Sequence, residues 1–103
     1  MHKLTILYTM PGDVGEFEAH YAEVHLPMVR EYPGLKEVRL TRYERDPRGR
    51  PPAFYLACDL LFDDEDALNA ALNSDPGRAS GKDFGEMTER FGINGQFLVG
   101  TEE

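Results

Sequence analysis

Leu4, Ile6 and Tyr8 alternate with Lys3, Thr5, Leu7 and Thr9. A period of two with β-branched and aromatic residues predicts a strand. Pro11-Gly12 ends it. Asp13 and Glu16 then stand at capping-box spacing, an aspartate acceptor followed by a glutamate three positions on. Val14, Phe17, Tyr21, Val24 and Met28 follow at steps of three and four, one apolar stripe of a helix. Pro27 lacks an N–H and crowds the preceding turn, which predicts a kink or an end near Val24–Leu26. Tyr32-Pro33-Gly34-Leu35 reads as a type II turn. Val38 and Leu40 alternate with polar neighbours in a second strand. Asp46 to Pro52 is a loop. Ala53 to Phe62 is the most apolar stretch and reads as a central strand, apolar on both parities, so both of its faces should be covered. Asp63-Asp64-Glu65-Asp66 places negative charge at the start of a second helix, where the dipole favours it. Ala67, Leu68, Ala71 and Leu72 supply its buried face, and Ser74-Asp75-Pro76-Gly77 interrupts. Phe84, Met87 and Phe91 mark a third helical piece closed by Gly92. Gln96 to Thr101 is a last strand.

Strand, helix, strand, strand, helix, strand is the split βαβ order of ferredoxin-like α+β folds. Both helical layers then lie on one face of an antiparallel sheet. The other face is left for solvent or a partner, and the two-sided apolar strand at 53–62 predicts a homodimer through the sheet faces.

With 103 residues the chain is read as one domain spanning residues 1–103. Nineteen acidic against eleven basic residues give a net charge of −8, which disfavours nucleic acid and anionic membranes as partners. No stretch approaches the roughly 20 apolar residues of a membrane span. One cysteine, Cys58, excludes a disulfide framework and points to a reducing, cytoplasmic setting. No glycine-rich phosphate loop, G-x-S-x-G or CxxC occurs, so nucleotide, serine-hydrolase and thiol-redox chemistry lack support.

His25 is the sharpest candidate for chemistry. At 100° per residue it lies about 65° from the centre of the apolar stripe, flanking the core beside the irregular backbone at Pro27. A histidine gives or takes a proton near neutral pH; a boundary residue capping a frayed helix end is the plainer alternative. His20, five residues earlier, is about 140° away on a regular helix, which puts the two in different sites and makes His20 structural. The i, i+4 pairing of helical zinc ligands is absent, so no metal is expected. Asp59 is a charge inside the most apolar strand and must be paired, solvated or neutral. It is either a proton acceptor on a cavity wall or an ion-pair partner of Arg39. Tyr43 and Tyr55 are candidates to line the same cavity and orient a carbonyl or phenol, and Arg39 to contact substrate. Six of the eleven basic residues fall between Lys36 and Arg50. They suit an anionic ligand, or a solvated hairpin that protects a sheet edge.

Phe17, Tyr21, His25-Leu26-Pro27 and Pro33-Gly34-Leu35, with Asp83, Phe84 and Phe91 further on, resemble the EthD family of dimeric α+β-barrel proteins. The resemblance runs from Lys3 to Val99. It implies a homodimer with a cavity in each sheet. Members often carry a generic reductase label, and some relatives are dehydratases or cyclases on polyketide-like rings. Together these readings give a small-molecule enzyme that uses no metal or cofactor. Its acid/base chemistry, of lyase, isomerase or oxidoreductase type, acts on a small hydrophobic ring or carbonyl compound. His25 and Asp59 are its catalytic pair. The alternative is a non-catalytic protein that binds a hydrophobic metabolite or a partner enzyme.

Overall fold

The computed structural model describes all of residues 1–103. The elements are β1 (His2–Tyr8), α1 (Val14–His20), a π-helical turn (Tyr21–His25), α2 (Leu26–Val29), β2 (Glu37–Arg42), β3 (Leu56–Phe62), α3 (Glu65–Leu72), α4 (Asp75–Phe91) and β4 (Gly95–Thr101). The strands form one antiparallel sheet in the order β2-β3-β1-β4, the ferredoxin-like α+β arrangement expected from the element order. No helix is long and apolar enough to cross a membrane.

The parity of the strands, ambiguous in the sequence, is resolved by where the helices lie. Leu4, Ile6 and Tyr8 of β1 and Leu56, Cys58, Leu60 and Phe62 of β3 join the core with Phe17, Tyr21, Leu68, Met87 and Phe91. The opposite parity, including Leu7, Ala57, Asp59 and Leu61, forms the outer face. β3 begins at Leu56 and not at Ala53. Tyr55, just before it, is tied to β1 by its N–H, which donates to the Tyr8 carbonyl at 2.7 Å.

Caps fix the helix ends. The Asp13 carboxylate accepts from the Glu16 N–H at 3.0 Å, and Asp64 from the Ala67 N–H at 2.8 Å. Ser74-Asp75-Pro76-Gly77, read above as an interruption, is the start of a 17-residue helix. Ser74 Oγ accepts from the Gly77 N–H at 3.2 Å. Pro76 sits in the first turn, where a missing N–H costs nothing. Gly92 closes the helix in the left-handed region, with φ 65°.

Gly77 lets α4 start directly against α3. A Cβ there would lie 2.2 Å from the Ala71 carbonyl oxygen and 2.6 Å from that of Leu72. Neither is the end of a flexible side chain. Gly77→Ala should therefore cost about 1–3 kcal/mol, seen as a lower urea midpoint. An unchanged midpoint would mean that the two helices do not meet this closely.

Candidate active site

The site is built around an irregular turn. Pro27 cannot donate to the carbonyl of Glu23, and its ring crowds that carbonyl. The helix neither ends nor frays there. It widens by one residue, so that the Leu26 N–H donates to the Tyr21 carbonyl, and α2 then resumes with Pro27 in its first turn. The sequence reading of a break near Val24–Leu26 is thus corrected to a π turn. The angular arithmetic changes with it. When an i→i+5 bond closes the turn, residues five apart come back to one side of the helix. His20 and His25 are such a pair.

Both imidazoles meet Asp83, a buried carboxylate on α4. His25 Nδ1–H donates to Asp83 Oδ2 at 2.8 Å, and His20 Nε2–H lies 3.0 Å from each carboxylate oxygen. His20 is therefore not separate from His25. It shares the carboxylate that orients it. His25 is 4% exposed, inside the core and not at its margin. Its ring stacks on Tyr21, 5.3 Å between centroids. Burial pushes its pKa below the usual histidine value, against the opposing pull of Asp83. The ring is accordingly neutral at pH 7. With Nδ1–H committed to Asp83, the lone pair is on Nε2, which has no hydrogen-bond partner in the protein and is not sealed off.

Nε2 belongs to a ring that lines a cavity of about 80 Å³ between the helices and the inner sheet face. Tyr8, Tyr21, Tyr32, Cys58 and Phe84 help to line it, and no lysine, arginine, aspartate or glutamate does. The Tyr21 hydroxyl donates to the Tyr8 hydroxyl at 3.4 Å, so the Tyr8 proton is not spent on Tyr21. Tyr32 and Ser80 hydrogen-bond to each other through their hydroxyls. Burial holds the Tyr8 and Tyr21 hydroxyls well above the usual tyrosine range, and pushes the Cys58 thiol up to about 11. All three are neutral donors in the physiological range. The wall thus combines apolar surface, neutral hydroxyls and one neutral imidazole with a free lone pair.

The other nominated residues lie elsewhere. Asp59 is on the outer face, where it accepts from the Thr5 hydroxyl with Lys3 Nζ at 3.9 Å. It stands opposite Arg39 in register, but Arg39 is bound to Glu37 and Glu102 at 2.9–3.0 Å. Strand parity puts both on the side of the sheet away from His25, so neither joins its cavity. Tyr43 is 43% exposed and borders a shallow hollow with Leu7, Pro52, Ala53 and Phe54. Tyr55 precedes the β3 ladder and escapes its alternation. Its ring meets Phe17 and its hydroxyl donates to Glu18, which Arg42 also holds at 2.7 and 2.8 Å. Of the five, the structure places only His25 in the cavity. The carboxylate that serves it is Asp83, for which the sequence does hold a signal: a charge four residues before Met87 and eight before Phe91, on the apolar stripe of α4.

Comparison with known proteins agrees with this architecture. Residues 12–90 match the EthD domain. A crystal structure of an ethyl tert-butyl ether d (EthD) family protein from Bacillus halodurans C-125 is 36% identical. It superposes over 100% of this chain and 99% of that one, with a TM-score of 0.90. The uncharacterized 11.0 kDa protein in the thcB-thcC intergenic region of Rhodococcus erythropolis is 27% identical over 103 residues, 100% of this chain and 95% of that one. SnoaB, a cofactor-independent oxygenase from Streptomyces nogalater, is 17% identical with a TM-score of 0.69, over 99% of this chain and 92% of its own. That last likeness is one of fold.

Proposed function

The chain belongs to the EthD domain family, and on that premise we propose that it is a small-molecule enzyme in which His25 takes a proton from an uncharged, largely apolar ring or carbonyl compound held between the sheet and the helices. The observation that carries this reading is the His25 imidazole, tied to Asp83 through Nδ1 and left with a free Nε2 lone pair at the wall of a cavity lined by no charged side chain. Asp83 fixes the tautomer and steadies the imidazolium that forms. The absence of a cation from the wall disfavours carboxylate or phosphate substrates, which would enter with their charge unpaired.

In the step itself, the C–H bond beside a carbonyl breaks. The proton goes to His25 Nε2 and the electron pair moves onto the carbonyl oxygen, where the Tyr8 hydroxyl donates. Return of the proton to another carbon completes an isomerisation. Departure of a β substituent completes an elimination. Transfer of the electrons to molecular oxygen as co-substrate begins an oxygenation. All three share this first deprotonation, and it is the activity to measure. A panel of small uncharged cyclic ketones in D2O should show wash-in of deuterium beside the carbonyl by proton NMR. His25→Gln should slow it about a hundredfold or more. Saturable binding without any exchange would leave a binding protein in place of an enzyme.

A second copy of the chain on the outer sheet face belongs to the same reading, as does a reducing, cytoplasmic setting for the single thiol. Leu7, Ala57, Leu61 and Leu98 share that face by strand register; Ala57 and Leu61 are already buried within the chain, Leu7 is half-buried, and Leu98 is 45% exposed. The protein should sediment as a dimer at micromolar concentration. Leu98→Asp, at a position already open to water, should release monomers without unfolding them. Wild-type protein that sediments as a monomer would dismiss this interface.

A further inference from the structure

We infer that His20, Asp83 and His25 act as one proton-sharing unit that holds a single proton beyond the two neutral rings, and that His20 is the positioning residue which tunes His25 through the shared carboxylate. The inference deepens the reading of His25 as a base, but it concerns the cluster itself.

Three distances define the unit. His25 Nδ1 is 2.8 Å from Asp83 Oδ2, and His20 Nε2 is 3.0 Å from both oxygens. No lysine or arginine bonds to Asp83, so the imidazoles alone offset its charge. The two rings are not equivalent. The His25 side chain is 6% exposed and that of His20 14%, on the solvent side of the cluster. Facing His20 are Asp83 and Arg90 from α4. Arg90 Nη1–H donates to His20 Nδ1 at 3.4 Å, and its guanidinium lies over the Phe91 ring. Facing His25 are Asp83 from α4, Tyr8 and Cys58 from the sheet, Tyr21 and His20 from its own helix, and Tyr32 beyond α2. Burial keeps Tyr8, Tyr21, Tyr32 and Cys58 neutral where histidines titrate. The only groups that change charge together are the two imidazoles.

One extra proton is favourable because it pairs a nearly buried carboxylate with a cation. A second would put two cations on one carboxylate, and each would oppose the other. A proton on His20 sits at Nδ1, the nitrogen that faces the exposed Arg90 side chain. His25 then faces an ion pair and not a bare carboxylate, and it becomes the weaker base. When His20 is neutral, the full charge of Asp83 supports the proton that His25 takes from substrate.

Thermodynamic linkage makes the coupling reciprocal, which gives a test that needs no substrate. The ring protons of His2, His20 and His25 are followed by NMR across the histidine range, with His2, near Glu65 at 3.8 Å, as the internal control. In His20→Gln, which keeps an N–H donor for Asp83 but cannot titrate, the His25 midpoint should move to higher pH. If that variant fails to fold, His20→Asn, which also cannot titrate, is read in the same way. A His25 midpoint left unmoved when His20 is replaced would overturn the inference. Loss of deuterium wash-in with the coupling intact would instead count against His25 as the base.

Discussion

Asp83→Asn should slow the deprotonation step about a thousandfold, roughly 4 kcal/mol of transition-state stabilisation, while leaving ligand affinity within a few-fold. The carboxylate accepts from two imidazole N–H groups at once, 2.8 Å from His25 Nδ1 and 3.0 Å from His20 Nε2. An amide has one accepting oxygen and one donating nitrogen. With its oxygen at the Oδ2 position it can still accept from both rings, but with its nitrogen there it meets the His25 N–H with a donor. If His25 turns its lone pair toward the amide, Nε2 becomes an N–H donor and the cavity loses its base. If His25 keeps its tautomer, the negative charge that steadied the imidazolium is still gone. Either way kcat falls and KM moves little, because Asp83 does not line the cavity. Rates of deuterium wash-in, with binding measured separately by calorimetry, check this. A variant that retains wild-type exchange to within tenfold would show that the carboxylate only supports the fold.

Why Asp83 and His20 escaped the sequence reading, while the architecture did not, comes down to the range of the interactions. Alternation at Leu4, Ile6 and Tyr8 is local, and so are the caps at Asp13 and the turn at Gly92. Each is decided within a few residues. The ferredoxin-like fold class followed from the sequence of elements alone. The face on which Asp59 lies is different. Both parities of β3 are apolar, so nothing in residues 56–62 says which one meets the helices; α3 and α4 decide it. The angle between His20 and His25 failed for a subtler reason. It assumed 100° per residue through a segment that Pro27 forces to widen, and one extra residue in the turn changes about 140° of separation into a shared side. The meeting of these rings with Asp83 joins positions 63 and 58 residues apart. A carboxylate on the apolar stripe of α4 was visible. Its partners needed the tertiary fold.

Phe17→Ala should be the most damaging change to the core, costing about 3–5 kcal/mol out of the roughly 5–15 kcal/mol available to a domain of this size. Phe17 is fully buried. Its ring stacks on Tyr21 at 5.4 Å and meets Tyr8, Phe91 and Tyr55 edge-on at 6.0, 5.7 and 6.1 Å. Removing it leaves four aromatic rings around an empty space, and the melting temperature should drop by at least about 12 °C. His25 provides the contrast. As a residue at the stripe's edge it would cost about 1 kcal/mol or less to truncate, but buried against Asp83 it should cost about 1–3 kcal/mol as His25→Ala. The pH dependence separates the two. Burial lowers the His25 pKa in the folded chain, so below the ordinary value the unfolded chain binds a proton that the folded chain does not. This favours unfolding. The stability tied to neutral His25 is thus complete above about pH 6.5 and is lost as pH falls from there toward the folded-state value. His25→Gln removes that loss, so its melting curve should converge on the wild-type curve in acid. The deficit of Phe17→Ala, which removes no titrating group, should stay constant over the same range. Parallel pH profiles for both variants would mean that His25 is not held neutral in the core, and the lone pair assigned to the cavity would go with it.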